Sequence, residues 1–203
     1  MVQDIIEEKT ILLSNKETSV KKILLLAGSN SPNSINRKVI EYTAGLFKHN
    51  ETTIIDLRDY PLPIYSVEIE EKEGIPGNAF ALNKIFNEHD AVVFSVAEHN
   101  GSITAFFKNA LDWISRTQKN YRILENKPVL LLSASITPSG GRDAASHAEL
   151  IFSKRLRGRV IDKVSIPKFF DKVKVTGSNI IIIDEEIDNH IRNSAALLEN
   201  ELK

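Results

Sequence analysis

The chain of 203 residues contains no cysteine. Disulfides, thiolate metal centres and thiol nucleophiles are thereby excluded, and any redox chemistry must be carried by a borrowed cofactor. No apolar run approaches the length of a membrane span, and the N-terminus, with Asp4, Glu7 and Glu8, lacks the basic-then-apolar order of a secretion signal. The expectation is a cytoplasmic protein with no membrane partner. Basic and acidic residues, 26 and 27, leave a net charge of −1. The only basic cluster, Lys154-Arg155-Leu156-Arg157-Gly158-Arg159, reads as a solvated helix end, so no nucleic-acid footprint is expected. The five histidines, His49, His89, His99, His147 and His190, lack zinc-ligand spacing, and no metal site is expected. There is no G-x-S-x-G elbow, which argues against a serine hydrolase.

What remains is a soluble globule, 42% hydrophobic and 26% charged, of a length that suits one domain. Apolar strand-like runs near 22–27, 51–57, 91–97, 128–134 and 161–166 alternate with helix-like periodicity near 34–48, 77–89, 104–116, 142–157 and 185–201. This alternation predicts an α/β fold, a flavodoxin-like, doubly wound five-stranded parallel sheet of order 2-1-3-4-5 with helices on both faces. Residues 1–20 read as an N-terminal extension to a domain spanning 21–203. The segment 58–76, with Pro61, Pro63, Pro76 and an acidic run, reads as a long irregular excursion.

In such a sheet the ligand crevice lies at the carboxyl ends of the strands, where the order reverses. Three strand ends carry polar and glycine residues there. After the third strand come Ala97, Glu98, His99, Asn100, Gly101 and Ser102, before a helix containing Phe106, Phe107, Trp113 and Ile114, side chains suited to the core or to a subunit interface. After the first strand, Gly28 leads to Ser29, Ser31, Ser34, Ile35 and Asn36, short donors beside a helix N-terminus that favours a phosphate. Ser34 or Asn33 could equally serve only to cap the helix. Neither the P-loop nor the dinucleotide glycine pattern is present, which favours a monophosphate. After the fourth strand, Ser135, Thr137, Gly140 and Gly141 let a flat ligand approach the backbone, although an ordinary strand-to-helix turn would look similar.

Together these loops resemble the NADPH-dependent FMN reductases of the flavodoxin-like superfamily, which include quinone, azo-dye and chromate reductases. The resemblance covers about 21–167. It rests on Gly28-Ser29, Ser34 and Asn36 in the first loop, Glu98, Asn100, Ser102, Lys108, Asn109, Asp112 and Trp113 in the second, and Ala134-Ser135 with Gly140-Gly141 in the third. Ser31 stands where the family has arginine, Ala97 and Thr104 where it has proline, and His99 where it has tyrosine. The resemblance implies FMN as cofactor, its phosphate on the first loop and its ring along the second and third. It implies NADPH or NADH as co-substrate, and a small acceptor such as a quinone, azo compound, metal oxyanion or free flavin. It also implies a homodimer or homotetramer. No side chain is assigned as catalytic; His99 is the one candidate acid, set against a loop histidine facing solvent. The altered loops leave open a non-catalytic FMN-binding or electron-carrier module, or an interaction domain without flavin.

Overall fold

Five of the strands are apolar enough to be covered on one or both sides, and the segments between them fold back as helices. The computed structural model describes residues 20–118, 120–177 and 179–203; the expected extension therefore lies, except for its last residue, outside the described residues. In chain order the elements are β1 (Lys22–Gly28), α1 (Ile35–Ala44), β2 (Glu51–Ile55), a 3₁₀ turn (Leu57–Asp59), α2 (Val67–Glu73), α3 (Gly77–Asn87), β3 (Ala91–Val96), β4 (Glu98–His99), β5 (Ser102–Ile103), α4 (Ala105–Arg116) and β6 (Pro128–Ala134). There follow α5 (Arg142–Lys154), β7 (Arg159–Ile166), α6 (Phe169–Lys172), β8 (Val173–Thr176), β9 (Asn179–Ile182) and α7 (Glu185–Asn200).

The central sheet has the order β2-β1-β3-β6-β7 with every pair parallel, which is the 2-1-3-4-5 arrangement expected. Strand β1 shows why both faces need cover. Its side chains alternate by two, sending Leu24 and Leu26 into one core and Ile23 and Leu25 into the other, all of them inaccessible to solvent. The first core is closed by α3, α4 and α5, where Phe94 stacks on Phe152 with ring centroids 4.4 Å apart. The second is closed by α1, α7 and the β8–β9 hairpin.

Three local differences from the sequence expectation have physical causes. The excursion 58–76 is not irregular throughout: α2 forms because the Ser66 hydroxyl accepts from the Ile69 N–H, and it ends at Gly74, whose φ of 77° suits glycine. None of its residues is buried, so it shows no apolar periodicity to betray it. Next, β4 and β5 form a two-residue hairpin turning at Asn100 and Gly101, both with positive φ, the preference of an Asn-Gly pair. Finally, α5 ends at Lys154, so the basic run leaves the helix and enters β7 as a loop whose lysine and arginines are exposed while Leu156 and Gly158 are buried.

Candidate functional site

The carboxyl ends of β1, β3 and β6 lie side by side, Gly28 in register with Val96 and Val96 with Ser133. The loops that leave them are fastened to one another by side chains. Asn36, 2% exposed, spends its carboxamide on this: its oxygen accepts from the Ser95 hydroxyl at 2.8 Å and the Ala134 N–H at 3.0 Å, and its nitrogen donates to the Ala134 carbonyl at 3.1 Å. Thr104 caps α4 by accepting from the Phe107 N–H at 3.1 Å and donates to the Gly28 carbonyl at 3.0 Å. A Cβ on Gly28 would lie 2.7 Å from the Phe107 ring, so only glycine lets the first strand end here. Glu98 reaches the other way, its carboxylate accepting from the Ala144 N–H in the first turn of α5 at 3.2 Å. Ser102 bonds His147 Nδ1 at 2.7 Å.

Between the loops lies a crevice of about 240 Å³, lined by Ser29, Ser31, Asn33, Ser34, Ile35, Asn36, Ala97, Glu98, Ala134, Ser135 and Ile136. The first loop forms one of its walls. The Ser29 oxygen accepts from the Ser31 N–H, the Ser31 oxygen from the Asn33 N–H, and the Ser34 oxygen from the Arg37 N–H. With the oxygens so engaged, the hydroxyl hydrogens are left to donate outward. The N–H groups of Ile35 and Asn36, in the first turn of α1, have no carbonyl one turn behind them and add a positive helix end. Two guanidinium groups stand at the edge of this loop, and one carboxylate reaches both, while Arg37 Nε also donates to Glu41 at 2.8 Å. Arg37 Nη1 lies 3.3 Å from Asp56 and Arg58 Nη2 2.6 Å from it. Arg58 keeps the Asp56 carboxyl below its ordinary range.

The structure thus gathers Ser29, Ser31, Ser34, Ile35, Asn36, Ala97, Glu98 and Ser135 around one crevice. Asn36 and Glu98 serve there chiefly as ties between loops. His99, Asn100, Gly101 and Ser102 belong to the hairpin beside it, with His99 and the two turn residues exposed. Gly140 and Gly141 are buried behind the third loop: with φ of 65° and 81°, they pack against Pro167 and Ser133 and shape the turn rather than line the crevice. The sequence reading passed over Ile136 and Ala134 as lining residues, His147 as the partner of Ser102, and the Asp56 cluster. Only the Asn-Gly pair offered a local signal, for a hairpin that sets where Ser102 falls. Trp113 is fully buried, and Phe107 and Ile114 nearly so, which makes them core. Trp113 Nε1 donates to the Pro63 carbonyl at 2.7 Å and Asn109 Nδ2 to the same oxygen at 2.9 Å, pinning the proline-rich segment onto α4.

Among the described residues no helix is long and apolar enough to cross a membrane. The chain is 33% identical over 138 residues to an uncharacterized protein of Mycoplasma pneumoniae, covering 66% of this chain and 80% of that one. It is 31% identical over 135 residues to a quinone reductase of Escherichia coli, covering 64% and 68% respectively. Its fold is similar to that of the flavoenzyme NAD(P)H:(acceptor) oxidoreductase FerB of Paracoccus denitrificans, with a TM-score of 0.72 at 19% identity over 90% of this chain and 97% of the other. Residues 21–171, which carry all three loops, match the NADPH-dependent FMN reductases, and the chain belongs to that family.

Proposed function

We propose that this crevice holds FMN and that the protein passes electrons from NADPH or NADH to a small acceptor, a quinone foremost. The name of the Escherichia coli relative supports that acceptor class. The observation that carries the reading is the first loop, whose three serine oxygens are already engaged by backbone N–H groups beside a helix N-terminus and line the crevice, so that their hydroxyls are left to donate to an anion there. FMN, when bound, supplies the hydride and electron transfer chemistry. The chain's residues bind and orient it: Ser29, Ser31 and Ser34 donate to the phosphate, Ala97 and Ser135 let a flat ring approach, and Ile136 offers an apolar surface. Glu98, turned to the start of α5, keeps its charge engaged beside the anion. No side chain is assigned the transfer of a proton.

The flavin-binding unit is taken as 21–203, acting in the cytoplasm as a homodimer or homotetramer without nucleic acid. The test is the absorption spectrum of freshly purified protein, then NAD(P)H oxidation by FMN-loaded protein with quinone, azo dye, ferric chelate or free flavin. A flavin spectrum and turnover are expected. Flavin that binds but stays inert to both nicotinamides would replace this reading with a carrier, and absence of flavin binding would end both.

A further inference from the structure

A recess lies between the carboxyl ends of β1 and β2, beside the crevice and sharing a wall with it. Ser29, Ser31 and Ser34 line both spaces, whereas Arg37, Asp56 and Arg58 line the recess alone. At about 10 Å³ it has room for a single atom the size of a water oxygen. Two guanidinium groups therefore reach the same serines that face the crevice.

The donors of these two groups are only partly used. Arg58 gives one edge to Asp56, Nε donating to its two oxygens at 3.0 and 3.1 Å and Nη2 to one of them at 2.6 Å. The Arg58 backbone N–H donates to the same carboxylate at 2.9 Å, which fixes the residue at both ends. Its Nη1 has no protein acceptor among the described residues. Arg37 donates through Nε to Glu41 at 2.8 Å and through Nη1 to Asp56 at 3.3 Å and the Ile55 carbonyl at 3.4 Å. Its Nη2 likewise has no protein acceptor among the described residues. Both side chains are thus oriented in advance, and each keeps an amino group to spare.

A phosphate monoester at neutral pH carries between one and two negative charges, and the serines of the first loop meet it with neutral hydroxyls. Charge-assisted bonds are shorter and about twice as strong as neutral ones. We propose that Arg37 and Arg58 are binding residues for the flavin phosphate, one phosphate oxygen occupying the recess and accepting from Arg58 Nη1 and Arg37 Nη2 while the others stay with the serine hydroxyls. The charge that Ser31 does not bring to the first loop then comes from α1 and from the 3₁₀ turn after β2.

The two carboxylates nearby do not repel such a ligand unopposed, because Asp56 is already bound by both arginines and Glu41 by Arg37. Arg58 in particular can bridge two anions, with Asp56 on its Nε and Nη2 edge and the phosphate at Nη1. Asp56 is then a positioning residue, holding the fork where the phosphate arrives. The proposal takes its ligand from the flavin reading above; the alternative is an ion network that only braces the 3₁₀ turn against α1. A brace has no means of telling a phosphorylated flavin from an unphosphorylated one.

Fluorescence titration of the full chain with FMN and with riboflavin, at low and at high salt, tests the proposal. Arg58→Gln and Arg37→Gln should each weaken FMN about tenfold, leave riboflavin within about twofold, and flatten the salt dependence of FMN binding. Arg58→Gln is the cleaner variant, since Arg37 also braces α1 through Glu41, and circular dichroism checks that each is folded. Equal losses of both flavins in Arg58→Gln, or no loss of either, overturn the proposal. Inorganic phosphate supplies a measurement that needs no flavin: at matched ionic strength it should raise the thermal midpoint of the wild type more than that of Arg58→Gln. If the wild type binds neither flavin, the function proposed above fails and the phosphate measurement decides alone. A larger rise in the wild type then keeps the anion subsite, and equal rises end it.

Discussion

Asn36 and Ala134, 98 positions apart, exchange two hydrogen bonds, the side-chain amide of one standing in for a strand beside the backbone of the other. This places the helix after β1 against the end of β6. Replacing Asn36 with alanine leaves the Ala134 N–H and carbonyl and the Ser95 hydroxyl short of partners in a buried setting. The expected loss is about 2 to 4 kcal/mol, read as a lower urea midpoint at unchanged slope, together with weaker FMN binding. Stability and flavin affinity both at wild-type level would show that the loops do not depend on this tie.

Ser31 tests how the first loop holds an anion. Ser31→Arg should tighten FMN about tenfold while leaving riboflavin, which lacks the phosphate, unchanged, and should steepen the salt dependence. Ser31→Ala should weaken FMN alone. Flavin fluorescence titrations with the two ligands decide the matter, and equal effects on both would place the phosphate elsewhere.

Gly28 is required by contact rather than by backbone angle. Gly28→Ala forces its methyl into the Phe107 ring, and a cost of about 1 to 3 kcal/mol is expected in denaturant unfolding. Gly28→Ala combined with Phe107→Leu should cost less than the two separately, because the smaller side chain vacates part of the overlap. Strict additivity would refute the steric account.

At high pH the α1–α7 contact should weaken. Burial, and then the hydrogen bond to Asp188, push the Tyr42 hydroxyl up to about 12 despite Arg192 beside it. A raised folded-state value means that the stabilisation is fully present below the unfolded value near 10 and is lost as pH rises towards 12. The ring is only partly buried, so screening reduces the loss to about 1 to 2 kcal/mol. Tyr42→Phe should flatten this part of the stability profile, and tyrosinate absorbance should lose a late-titrating ring in the variant. An unchanged profile in the variant would assign the slope to other groups.

The sheet could be read from sequence because β1, β3 and β6 are apolar on both faces, and few other environments accept Leu24, Leu25 and Leu26 in a row. The crevice could be read because serine, asparagine and glycine cluster at strand ends. The ties could not. That Glu98 caps α5, that Ser102 meets His147, and that Asp56 occupies two arginines are contacts between residues distant along the chain, without periodicity to announce them. Helix α2 escaped for a different reason: lying on the surface, it needed no apolar stripe.

The cross-bracing by Asn36, Thr104 and Glu98 bears on the kinetics of the cofactor. Loops already fixed to one another have little conformational entropy left to lose when a ligand arrives, and no ordering step needs to precede or follow the encounter. Flavin association should then be a single exponential whose rate rises linearly with concentration, differences in affinity among loop variants appearing in the dissociation rate. A crevice built this way is a fixed dock, and a ligand can leave it as simply as it came.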